Sequence, residues 1–113
     1  MYNVLTATQS LLTGDTLTST GRGYQLVMQT DGNLVLYRLS DSKALWASNT
    51  QGSGAVQAIM QTDGNFVVYT AAMKAVWASG TNGSAATFLI MQDDGNLVLY
   101  PADNPIWATN TEQ

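Results

Sequence analysis

Cysteine and histidine are both missing from the 113 residues. Without cysteine no disulfide can staple the fold, and no thiolate can bind a metal or attack a substrate. Losing histidine removes the commonest general base and the commonest zinc ligand together. Charge is scarce as well: 11% of residues are charged and the net charge is −4. Four basic residues, Arg22, Arg38, Lys43 and Lys74, are scattered along the chain. Nucleic-acid binding needs a basic stripe and anionic lipid needs a polybasic patch, and neither can form here. No run reaches the ~18 apolar residues that would insert into a membrane. The opening residues, Met1-Tyr2-Asn3-Val4-Leu5-Thr6, lack the basic start and apolar stretch of a signal peptide. The expectation is a cytoplasmic chain, one exported by a non-classical route, or a trimmed mature form that is secreted. With so few charges, the surface must be covered by neutral Thr, Ser, Asn, Gln and Gly, which suits neutral hydrogen-bonding ligands such as sugars.

What the chain does contain is one pattern repeated. The segments Met28-Gln29-Thr30-Asp31-Gly32-Asn33-Leu34-Val35-Leu36-Tyr37, Met60-Gln61-Thr62-Asp63-Gly64-Asn65-Phe66-Val67-Val68-Tyr69 and Met91-Gln92-Asp93-Asp94-Gly95-Asn96-Leu97-Val98-Leu99-Tyr100 align without gaps. Their glutamines stand 32 and 31 residues apart. A second marker follows each time: Trp46-Ala47-Ser48, Trp77-Ala78-Ser79 and Trp107-Ala108-Thr109. A unit of ~31 residues cannot bury its apolar face alone, and three units favour a closed pseudo-threefold domain over an open solenoid. The expectation is a single domain over residues 1–113.

Each unit reads as β structure. Tyr24 to Gln29 is an apolar, β-favouring run, Asp31-Gly32 signals a tight turn, and Leu34 to Tyr37 is the returning strand. A polar loop, Ser40 to Lys43, leads to a short strand over Ala44-Leu45-Trp46-Ala47. Apolar spacing of 3.6 residues is absent, so no helix is expected. The opening segment, Asn3 to Thr18, should add a strand or two that complete a sheet. Strand alternation puts Leu34 and Leu36 on one face, and Asn33, Val35 and Tyr37 on the other.

Turn geometry explains Gly32, Gly64 and Gly95, and core packing near the threefold axis explains the tryptophans. Asp and Asn can stabilise turns. Glutamine has no turn chemistry and no β preference, so Gln29, Gln61 and Gln92 call for another reason. Tyrosine keeps a hydroxyl where phenylalanine would pack equally well. Together Gln, Asp, Asn and Tyr offer acceptors and donors, and Val offers an apolar patch beside them. A hexose has the same dual character: hydroxyls around the ring, with C–H patches between them.

The pattern Gln-x-Asp-x-Asn-x-Val-x-Tyr, in triplicate with a following Trp-Ala, resembles the bulb-type (monocot, snowdrop-lectin-like) mannose-binding lectin family. The resemblance covers essentially the whole chain, and every motif position is intact: Gln29, Asp31, Asn33, Val35 and Tyr37; Gln61, Asp63, Asn65, Val67 and Tyr69; Gln92, Asp94, Asn96, Val98 and Tyr100. It implies an all-β fold, β-prism II, with three four-stranded sheets around a pseudo-threefold axis and the tryptophans inside. It further implies mannose and mannose-containing glycans as partners. Asp and Asn would contact the 2-hydroxyl, Gln the 3-hydroxyl and Tyr the 4-hydroxyl, with Val against ring carbons and neither metal nor cofactor involved. Homodimers by exchange of the C-terminal strand, here including Pro105-Ile106-Trp107-Ala108, belong to the same implication. Plant members carry a disulfide whose cysteines would align at Gly32 and Val56; this chain departs from them there.

Two rival classes can be set beside a lectin. A glycosidase needs two carboxylates ~5–9.5 Å apart. Each repeat offers one, except Asp93-Asp94, whose side chains should diverge on an extended chain. A protein-interaction scaffold on the same fold would leave the sugar sites idle. Asn82-Gly83-Ser84 fits the N-glycan acceptor rule, which matters only for a secreted chain.

Overall fold

The computed structural model describes residues 3–83, 88–100 and 107–111. Among them are twelve strands and no helix, in three four-stranded antiparallel sheets. The first repeat forms β4 (Tyr24–Met28), β5 (Leu34–Arg38) and β6 (Lys43–Ala47). The second forms β7 (Ala55–Met60), β8 (Phe66–Thr70) and β9 (Ala75–Ala78). The third forms β10 (Phe88–Met91), β11 (Leu97–Tyr100) and β12 (Trp107–Ala108). Pro105 and Ile106 lie outside the described residues, as does Ser84 of the glycan-acceptor triplet.

The opening segment does more than expected. It supplies three strands rather than one or two: β1 (Val4–Thr6), β2 (Ser10–Leu12) and β3 (Thr16–Thr18). Each joins a different sheet, β1 on β10, β2 on β7 and β3 on β4. The chain therefore passes all three sheets before the repeats begin, and every repeat meander receives a fourth strand. Corners at Thr8 (φ 77°) and Gly14 (φ 90°) turn it from sheet to sheet. Each crossing is tied to the methionine that ends a repeat's first strand. Asn3 O accepts from Met91 N, Thr8 N donates to Met60 O and Gly14 N donates to Met28 O, at 2.7–2.8 Å.

Cross-strand partners share a face, so the register sorts the side chains. The inward rows are Leu17–Leu26–Leu36–Trp46, Leu11–Ala58–Val68–Trp77 and Leu5–Leu89–Leu99 with Trp107. Apart from the tryptophans, these residues are buried in one apolar cluster with Met28, Met60, Met91, Leu34, Phe66 and Leu97. The middle repeat has the smaller Ala58 and Val68 where the others have leucine. It also has Phe66 where they have Leu34 and Leu97, so the larger ring offsets the missing volume.

The three indoles meet as expected, with centroids 5.3, 5.7 and 5.9 Å apart and edges turned to faces. They are half-buried, however, not deep in the core. Bulges at Leu36/Tyr37 and Val68/Tyr69 insert an extra residue, Leu45 or Val76, beside Trp46 and Trp77, and both neighbours pack on the core. The β5–β6 turn is closed by a two-pronged ion pair, Arg38 Nε and Nη2 to Asp41 at 3.1 and 2.7 Å. That hydrogen-bonded guanidinium holds the Asp41 carboxyl down at about 2.

Candidate carbohydrate site

The other face of each sheet carries the repeated polar residues. In the first sheet the outer rows are Ala47–Val35–Val27–Thr16 and Ala44–Tyr37–Gln25–Thr18. Equivalent rows in the second sheet are Ala78–Val67–Ile59–Ser10 and Ala75–Tyr69–Gln57–Leu12. The third sheet has Ala108–Val98–Ile90–Val4 and Tyr100–Phe88–Thr6. The Trp-Ala marker thereby divides its labour. Tryptophan points inward, and the alanine beside it leaves the outer face open next to valine.

Between the first two strands of each repeat lies a three-residue hairpin loop. Gln29 N donates to Asn33 O at 2.9 Å and Gly32 N to Gln29 O at 3.2 Å, with Gly32 at φ +89°. A β-carbon at Gly32 would lie 3.1 Å from the Thr50 carbonyl, so glycine answers both the left-handed backbone and the close approach. The same bonds recur at Gln61–Asn65 and Gln92–Asn96. This is the hairpin whose third loop residue is left-handed, one residue longer than a two-residue Asp-Gly turn.

The loop and its returning strand place all fifteen candidate residues alike. Asp31, Asp63 and Asp94 are exposed, and one oxygen of each accepts the backbone N–H of the asparagine two residues on, at 2.9 Å. Half-buried Gln29, Gln61 and Gln92 are hydrogen-bonded to the hydroxyls of Tyr37, Tyr69 and Tyr100. At Gln61 the amide satisfies every neighbour when its oxygen accepts from Tyr69 and its nitrogen donates to Asp63 at 3.1 and 3.3 Å. Val35, Val67 and Val98 are 4%, 2% and 2% exposed, yet stand outside the core cluster. They form a floor under the polar residues rather than an open apolar patch. In front of Gln29 and Asp31 is a cleft of about 420 Å³, bordered also by Val27 and Gly14.

The asparagines have a second job that turn chemistry does not suggest. Asn33 Oδ1 accepts from Ser48 Oγ and Thr50 N, both at 3.2 Å. Thr50 Oγ1 donates to Gly32 O at 2.6 Å and stands 2.8 Å from Ser48 Oγ. Ser79 and Thr81 hold Asn65 in this way, and Thr109 and Thr111 hold Asn96. Each asparagine is thus locked by its oxygen, and its Nδ2 donates to no described residue. These hydroxyl pairs, which fix the asparagine side chains, are residues that the motif reading missed. Their signal is present in the sequence: Trp-Ala is followed each time by Ser or Thr, any residue, then Thr.

Asp93 and Asp94 diverge. Asp94 serves its own loop, whereas Asp93 Oδ1 accepts from Gly21 N, 72 residues away, at 2.6 Å. No group of three or more potential metal ligands occurs among the described residues.

No protein-family model matches the chain, and no curated protein does. Solved structures match it closely. A lectin from Marasmius oreades superposes with TM-score 0.89 at 35% identity, over 98% of this chain and 92% of that one. A monomeric monocot mannose-binding lectin from Gastrodia elata gives 0.87 at 40%, over 98% and 99%. The mannose-specific agglutinin of snowdrop, Galanthus nivalis, solved with methyl α-D-mannoside, gives 0.80 at 41%, over 98% of each chain. With the motif intact in every repeat and three sheets arranged as in these proteins, the chain belongs to the bulb-type mannose-binding lectin family, with the β-prism II fold.

Proposed function

We propose that this lectin recognises terminal α-D-mannose at three metal-independent sites in a single domain spanning 1–113. The sites are Gln29 to Tyr37, Gln61 to Tyr69 and Gln92 to Tyr100. One observation carries the reading: the same five side chains reach the open face of each sheet with the same hydrogen bonds. The exposed carboxylate of each Asp accepts from the axial 2-hydroxyl, and the unpartnered Nδ2 of the locked Asn donates to it. Gln takes the 3-hydroxyl and Tyr the 4-hydroxyl, while the C–H face settles over Val. Glucose turns its 2-hydroxyl away and leaves Asp and Asn unmatched, so it binds worse.

A shallow site of this kind has a Kd of about 1 mM, roughly −4 kcal/mol. Three such sites raise avidity for branched glycans by about 10² to 10⁴. A hydrolytic role has no support, since each site has one carboxylate and Asp93 turns from Asp94 toward Gly21. On a mannan column the protein is retained and is eluted by free mannose but poorly by glucose. Passage through the column unretained would favour a scaffold with idle sites.

The assembly in this reading is a homodimer that exchanges β12. That strand pairs with β11 through Val98↔Ala108 and Leu99↔Trp107. Light scattering should give the mass of two chains, and a mass of 12.1 kDa would remove the dimer from the reading.

A further inference from the structure

The five motif residues are alike in the three sites, but their surroundings are not. Next to the tyrosine, the outer row continues as Gln57 and Leu12 in the second sheet and as Phe88 and Thr6 in the third. In the first sheet it continues as Gln25 and Thr18, with Gln25 Nε2 donating to Thr18 Oγ1 at 3.2 Å. These two line a cleft of about 410 Å³ with Thr16, Leu39 and Arg22. Arg22 is exposed and in no ion pair among the described residues, whereas Arg38 is committed to Asp41.

The loop carrying Arg22 is built and anchored. Arg22 sits at φ +61°, its N–H donating to Ser19 O at 2.8 Å. Gly21 N donates to Asp93, and a β-carbon at Gly21 would stand 3.1 Å from that carboxylate oxygen. Asp93 occupies the position held by Thr30 and Thr62 in the other repeats. The third repeat thus pins, through its one divergent loop residue, the segment that brings a cation to the edge of this cleft. Asp93 turns its carboxylate to Gly21, and Arg22 borders the cleft.

We infer that this cleft is a second subsite, continuous with the first mannose site through the Tyr37–Gln25–Thr18 row. It takes the next sugar of a mannose-terminated glycan and favours one bearing an anionic group, phosphate or carboxylate. Leu39 offers a C–H patch, Thr16, Thr18 and Gln25 offer donors and acceptors, and the Arg22 fork matches an acid group with two parallel bonds. Arg22 is the specificity residue and Asp93 a positioning residue. The inference rests on the mannose reading of the first site.

The test titrates the full chain at low salt with three ligands. One is a neutral mannobioside, one carries a phosphate on its second sugar, and one carries a carboxylate there. Binding at the first site is followed through the side-chain amide resonances of Gln25 and Gln29. An exposed charge pair corresponds to an acidic ligand binding about fivefold tighter than the neutral one. Arg22→Gln brings that ratio to about one, and Lys43→Gln, which removes the same charge from β6, leaves it standing. Preference for one acid alone identifies which anion the subsite takes. Equal binding of neutral and acidic ligands by the unmodified chain, or a preference that survives Arg22→Gln, overturns the inference. Failure of the neutral mannobioside to bind at all sinks the mannose reading instead, and this subsite with it.

Discussion

Replacing Trp77 by alanine is expected to lower the unfolding free energy by about 3 kcal/mol and the melting temperature by roughly 15 °C. Its indole lies 5.3 and 5.7 Å from those of Trp46 and Trp107, and 6.2 Å from the ring of the fully buried Phe66. One substitution therefore removes three edge-to-face contacts, each ~0.5–1.5 kcal/mol beyond area burial. It also opens a space where the three sheets converge. Full burial would put the cost nearer 5 kcal/mol, but Trp77 is only partly buried, and the low end applies. Against a total of about 5–15 kcal/mol for an ordinary domain, this is a large fraction. Trp77→Phe keeps a ring against Phe66 and should lose about half as much. Urea unfolding followed by circular dichroism reads both. A loss under about 1 kcal/mol for Trp77→Ala would mean that the indole triad contributes little to holding the sheets together.

The second large effect is on recognition. Asp63→Asn should weaken the second site at least ~10-fold, from about 1 mM to beyond 10 mM, because a charge-assisted bond worth ~1.5–3 kcal/mol is lost. The amide oxygen can still accept from Asn65 N, which Asp63 Oδ1 now does at 2.9 Å, so the loop keeps its turn bond. The other carboxylate oxygen becomes an NH₂ group, which cannot accept from a sugar hydroxyl. Stability should change by less than about 1 kcal/mol, since Asp63 is exposed. Sites one and three lie on other sheets and should keep their affinity.

Much of this was legible in the sequence for a simple reason: the fold repeats, and repetition separates what every unit needs from what varies. Glutamine and tyrosine kept their polar groups three times over, and the structure joins each pair by a hydrogen bond. The opening segment was harder. Its strands are three residues each, too short for alternation to declare itself, and the sharp turn at Thr8 has no glycine to announce it. Its register against β4, β7 and β10 decides what flanks each site, so the polar rim of the first site was out of reach as well. The asparagine clamp was missed for a different reason. Its partners, such as Ser48 and Thr50, stand 15 and 17 residues away across the sheet, and only strand pairing brings them to the loop. Alternation on β5 put Val35 on the same face as Tyr37, but it could not show that flanking side chains would leave the valine 4% exposed.

A titration with methyl α-D-mannoside, read from the side-chain amide resonances of Gln29, Gln61 and Gln92, probes the central proposal at its three points of contact. All three should move with millimolar midpoints, methyl α-D-glucoside should move them far less, and in Asp63→Asn the Gln61 signal alone should stay still. Amide signals that ignore the mannoside, or a Gln61 signal that answers it equally well without the Asp63 carboxylate, would contradict the account.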